Sequence, residues 1–212
     1  LLIQQFSLLL VPGEPAVFDE APRARRTGAW LWGLPPECND RASARRRLQV
    51  NDDQRPVVLV AGSGNLEDID HFAGVADTLD QALGRDARVV FASLPGVPLG
   101  RVSRDVSEIR LWPLVEVLNG VDVLVAAGGY NTVQEARAFD CPLVGWPRVR
   151  RYDRQDRRLT ELETVSGEDE LIERVSGHLA RPAVANRNVV RTNGADEAVR
   201  LILECSAAAR PD

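Results

Sequence analysis

Apolar runs of strand length alternate along the chain with stretches that are apolar on one helical face. Val57–Ala61 is a continuous apolar run rich in β-branched Val, the composition of a strand buried on both faces. Gly62-Ser63-Gly64-Asn65 interrupts it. Leu66, Ile69, Phe72, Val75, Leu79 and Leu83 then recur at helical spacing, and Gly84 ends the helix. Further strands are predicted at 88–93, 108–112, 121–127 and 143–146. Helical patterns occupy 114–118, 132–139, 170–179 and 195–205. Strands alternating with helices predict βαβ crossovers. The expected class is α/β: a doubly wound, mostly parallel, Rossmann-like sheet covered on both faces.

The first quarter of the chain is less regular. Residues 7–11 predict a short strand ended by Pro12-Gly13, and 42–48 predict one or two helical turns. Pro15, Pro22, Pro35, Pro36 and several arginines make 13–55 read as a linker rather than a core. The chain begins Leu-Leu, without Met or a charged leader, which suggests sequence upstream.

Composition narrows the chemistry. The chain has 212 residues, 44% of them apolar and 27% charged, enough for one large domain or one domain and part of another. A net charge of −5 argues against a nucleic-acid partner. No apolar run approaches the roughly 20 residues of a membrane span. Every basic residue is Arg, which excludes a Lys nucleophile, a Schiff base and a P-loop Lys. Cys38, Cys141 and Cys205 are odd in number and far apart, the pattern of reduced thiols in a cytoplasmic protein. With His71 and His178 isolated and no Cys pair at ligand spacing, no metal site is expected.

In a parallel sheet, ligands bind beyond the carboxyl ends of the strands, where three loops fall. The first, Gly62 to Glu67, offers glycines and a helix start to an anion, but Glu67 replaces the third glycine of a dinucleotide fingerprint. Ser63 lacks the spacing of a hydrolase elbow. The second, Gly128-Gly129-Tyr130-Asn131, precedes a helix and has the size of a diphosphate site. Thr132 adds a hydroxyl, and Glu135 is spaced to accept from vicinal ribose hydroxyls. Thr132-x-x-Glu135 also matches a capping box, which alone accounts for both residue types. The third, residues 147–158, holds six arginines, suited to a diphosphate or to a solvated helix start. Its Asp153 and Gln155 suit sugar hydroxyls. Asp68 and Asp70 flank the apolar Ile69 and are expected in solvent. The four Trp residues are expected to pack.

Together these segments resemble the carboxyl-terminal, donor-binding half of a GT-B glycosyltransferase. The likeness is nearest to the bacterial peptidoglycan N-acetylglucosaminyltransferase family. It rests on Val58–Gly64, Leu111-Trp112-Pro113, Asp122–Ala136, Cys141–Pro147, Asp153-Arg154-Gln155 and Asn193-Gly194-Ala195, and covers about residues 50–208. Ala126-Ala127 stand where many relatives carry Arg or Ser, Tyr130 is bulkier than usual, and 148–152 is more basic.

The resemblance implies a nucleoside diphosphate sugar donor, with a uridine nucleotide the foremost expectation, and inverting transfer without a metal or cofactor. Gly62 and Ser63 would line the diphosphate, and Leu111 and Trp112 would meet the base. Gly128, Gly129, Asn131 and Thr132 would hold the diphosphate. Glu135 would bind the ribose, and Asp153 and Gln155 the sugar. Residues 51–212 would form the donor domain. Residues 1–50 would be the remnant of an amino-terminal domain and the interdomain linker. The acceptor site and catalytic base would then lie in a missing amino-terminal domain or a separate chain. A non-catalytic nucleotide-sugar subunit, a nucleotide-sugar epimerase and an RNA-binding surface at 148–158 are the alternatives.

Overall fold

The computed structural model describes residues 6–13, 21–50, 53–62, 66–97, 102–151, 153, 155–181 and 190–208. The chain runs β1 (Leu9–Pro12), β2 (Ala24–Thr27), α1 (Arg41–Arg47), β3 (Val57–Ala61), α2 (Leu66–Leu83), β4 (Arg88–Ser93) and β5 (Ser107–Arg110). It continues through β6 (Val123–Ala126), α3 (Tyr130–Ala138), β7 (Leu143–Gly145), α4 (Gln155–Arg158), α5 (Glu168–Leu179) and α6 (Gly194–Ala208). Five strands form one parallel sheet in the order β5-β4-β3-β6-β7. β1 and β2 form a separate parallel pair.

Alternate residues of the central strands feed two cores, as the period of a pleated strand requires. Val57, Leu59, Leu124 and Ala126 face α3 and the segment 29–50. Val58, Val60, Val123 and Val125 face α2 and α5. Both faces are covered, which is why β3 and β6 are apolar throughout.

The segment 29–50 departs from its expectation. Leu31, Ala44, Leu48 and Val50 are buried, and Leu34 and Cys38 pack against the same core. A Cβ on Gly120 would meet the Ala44 side chain at 2.9 Å, so α1 lies directly on the chain entering β6. Asp122 fastens this corner. Its carboxylate accepts from the Val57 N–H at 2.8 Å and pairs with Arg41 at 2.9 Å. The strand β2, Ala-Arg-Arg-Thr, was not predicted because it has no apolar alternation; pairing with β1 holds it extended.

Asn193 ties α6 to the connection. Its amide oxygen accepts from the N–H of Leu31 and of Ala195, both at 3.1 Å, and its nitrogen donates to Leu31 O at 2.9 Å. One side chain thus continues the linker's hydrogen bonding and caps the last helix. Among the described residues, no helix is long and apolar enough to cross a membrane.

Candidate functional site

The sheet order sets the carboxyl ends of β3, β6 and β7 side by side. Gly62 ends β3, and its N–H donates to Ala92 O at 2.8 Å. A Cβ there would come within 3.1 Å of that oxygen and 3.2 Å of the Phe91 ring, so packing by itself disfavours a larger residue at this position. Ser63 lies outside the described residues, as do Gly64, Asn65, Tyr152 and Arg154.

The glycines after β6 differ from one another. Gly128 is buried and has φ 85°, and a Cβ would lie 2.9 Å from Leu159 Cδ1. The positive φ disfavours a side chain, and the Leu159 side chain would have to shift to admit one. Gly128→Ala is therefore expected to lower stability by roughly 1–3 kcal/mol in urea unfolding. Gly129 has an extended backbone, φ −60° and ψ 151°, and nothing within 4 Å of an added Cβ. The fold gives no reason for glycine there.

Gly129 is the N-cap of α3, which begins at Tyr130, earlier than the spacing predicts. The capping box consequently does not form. Thr132 is the third helical residue and Glu135 the sixth, and no side chain caps the helix. The amides of Asn131 and Thr132 belong to the first turn, where no carbonyl of the same helix can accept from them. Asn131 is exposed and Thr132 half-buried.

Glu135 is only 3% exposed, with no hydrogen bond or ion pair among the described residues, and burial pushes its carboxyl up to about 7. The Cys38 thiol of the linker is pushed up to about 11 by burial, then by Glu116, Glu37 and Glu135. The linker thus lies against the same side of α3 as this carboxyl. Asn39 holds Glu116 in place through a 2.6 Å bond to its carboxylate. Tyr130 directs its hydroxyl to the linker, accepting from the Trp30 N–H at 3.4 Å.

Leu111 prolongs β5, donating its N–H to Ser93 O at 2.9 Å, and is buried. Trp112 follows and is 47% exposed; Trp32, 62% exposed, meets it edge-to-face at 5.3 Å. These two rings pack on each other, as expected, but do so at the surface rather than in the core. Trp146 does pack, 4.8 Å from His71. Burial lowers the His71 pKa, with Arg148 adding to the effect and Glu168 opposing it.

The arginine loop is largely tied up internally. Asp68, expected in solvent, is 2% exposed and pairs with Arg148 at 3.3 Å and with Arg150. Arg158 donates to Asp153 at 2.9 Å and to Gly128 O at 2.8 Å. Gln155 is buried, accepts from the Arg148 N–H at 2.9 Å and donates to Asp153 at 3.0 Å. Gln155 therefore holds the loop, and Asp153 is the more open of the two. Ion pairing of Arg148, Arg150 and Arg158 also removes much of the positive surface that an RNA site would need. Sequence reasoning missed Asp68 and Arg158. The one available signal was Asp68's place in the first turn after a glycine loop.

No protein-family model matches the chain, and no curated protein matches it in sequence. Solved structures do match. The calicheamicin glycosyltransferase superposes with a TM-score of 0.63 at 19% identity, over 93% of this chain and 51% of that one. The glycotransferase of kitacinnamycin gives 0.59 at 20% identity, over 86% and 49%. The spinosyn forosaminyltransferase gives 0.58 at 18%, over 87% and 51%. The chain has the fold of one Rossmann-like half of a GT-B architecture. This chain spans about half the length of the structures it matches. None of the three is a peptidoglycan N-acetylglucosaminyltransferase, so they support the broader GT-B class and not that narrower likeness.

Proposed function

We propose that the chain is the donor-binding half of an inverting glycosyltransferase that uses a nucleoside diphosphate sugar, with a uridine nucleotide as the first candidate. One observation carries the reading. Glu135 is a buried carboxylate without a partner among the described residues, in the second turn of a helix whose first turn follows an uncapped glycine. Folding alone gains nothing from an acid placed there. Two ribose hydroxyls would satisfy it.

In this reading, residues 51–212 together with the packed segment 29–50 form the donor domain, and the residues before them belong to the connection to an amino-terminal domain. The first-turn amides of α3, with Asn131 and Thr132, hold the diphosphate, and Gly129 keeps side-chain bulk away from it. Leu111, through its backbone, and Trp112 meet the base. Asp153 takes sugar hydroxyls. An acceptor hydroxyl attacks the anomeric carbon, the bond to the diphosphate oxygen breaks, and the diphosphate leaves with the electron pair. The amides and the helix dipole stabilise that developing charge without a metal. The acceptor's proton goes to a base on another domain or chain.

The test is transfer. The chain, supplied with its amino-terminal domain and a hydroxylated acceptor, should consume a uridine diphosphate sugar and yield a glycoside of inverted configuration. A free epimerised sugar would instead identify an epimerase. Tight binding with no turnover would identify a non-catalytic subunit.

A further inference from the structure

The sheet order puts β6 between β3 and β7, so the loop after β7 must cross the carboxyl end of β6 to reach α2. It does so through Asp68. The Arg148 guanidinium reaches Asp68 Oδ1 at 3.3 Å, and Arg150 pairs with Oδ2. The same Arg148 donates its backbone N–H to Gln155 Oε1 at 2.9 Å. Gln155 Nε2 donates to Asp153 Oδ2 at 3.0 Å, and Arg158 Nη1 donates to Asp153 Oδ1 at 2.9 Å. Arg158 Nη1 also donates to Gly128 O at 2.8 Å. The network therefore starts on the helix after the first glycine loop, passes through the arginine loop and ends on the second glycine loop.

Burial holds the Asp68 end of this network, while the side chains of Arg148 and Asp153, 35% and 38% exposed, reach the surface. Asp68 is 2% exposed, and the side chains of Arg158 and Arg150 are 9% and 20% exposed. A carboxylate in the first turn of α2 gains from the helix dipole but would repel a diphosphate nearby. Two guanidiniums cancel that charge and turn the acid into an anchor.

We propose that Asp68 is a positioning residue for the sugar-binding part of the donor site. It acts through Arg148 and Gln155 to set Asp153 against the sugar hydroxyls, and it rests on the donor-binding reading above. Asp68 touches no substrate itself. Losing it should leave nucleoside diphosphate binding intact and remove the extra affinity that the sugar contributes.

The experiment is a calorimetric titration of the full chain with uridine diphosphate and uridine diphosphate glucose, and with the thymidine and guanosine pairs. In Asp68→Asn, the affinity for the diphosphate sugar should fall about tenfold or more, the worth of one displaced hydrogen bond to a charged group, while that for the diphosphate should not change. Arg148→Ala keeps the backbone N–H and leaves Asp68 paired with Arg150; it should show the same split if Asp68→Asn fails to fold. Equal losses for both ligands would mean general destabilisation and would overturn the proposal. Unchanged values in a folded variant, against a wild type that discriminates the sugar, would overturn it and spare the donor reading. A wild type that binds none of the six ligands would overturn both.

Discussion

Glu135→Gln is expected to raise the stability of the free protein above neutral pH and to weaken nucleoside diphosphate binding. The two effects share one cause. Burial lifts the carboxyl from 4.5 to about 7, so between those values the folded protein holds a proton that the unfolded chain has lost. Stability from this group is full below about pH 4.5 and is lost as pH rises through about 7. The loss above pH 7 amounts to roughly 3 kcal/mol, and glutamine, which does not ionise, escapes it. Wild type and variant should therefore melt alike near pH 4.5, and the variant should melt higher at pH 8. Binding runs the other way. An ionised carboxylate accepts from both vicinal hydroxyls, whereas a glutamine offers one carbonyl, which predicts about 10- to 100-fold weaker binding at pH 8. Wild-type affinity should also fall as pH drops below about 7, because the acid must first release its proton. Melting curves and calorimetry at both pH values check each sign. A variant that is less stable at pH 8 would assign Glu135 a packing role.

Gly129→Asp should separate stability from binding still more sharply. The backbone at Gly129 already has the extended geometry of an N-cap, and an added Cβ meets nothing within 4 Å. Aspartate is a preferred N-cap, and its carboxylate accepts from the first-turn amides. The free protein should gain a few tenths of a kcal/mol or hold level. Those amides are the ones assigned to the diphosphate. Occupying them and adding a like charge should weaken nucleoside diphosphate binding about 100-fold, with little change in melting temperature. Binding that survives the substitution would move the diphosphate elsewhere.

Much of the frame was legible in the sequence. The β-branched run Val57–Ala61 and the helix Leu66–Leu83 stand where periodicity puts them, because buried parallel strands and amphipathic helices follow burial alone. The connection was misread for the same reason. Residues 29–50 send single apolar side chains into the core from irregular backbone, and periodicity cannot detect that. The capping box failed because helix α3 starts at Tyr130, ahead of the threonine. A motif fixes residue types but not where the first turn closes. Asp68 was missed because its partners lie some 80 residues away in the chain. Local pattern puts an acid beside an apolar residue in solvent, and only the fold brings the arginines to it. For the glycines, sequence showed a pair; structure separates one favoured by its positive φ and its neighbour from one that packing leaves open.

The most direct measurement is a calorimetric titration of the intact chain at pH 8 with uridine, thymidine and guanosine diphosphates. Saturable one-to-one binding of at least one of them, lost in Gly129→Asp while the melting temperature holds, is the predicted result. If none of the three binds to a folded wild type, α3 does not serve a diphosphate and the donor-site account is wrong.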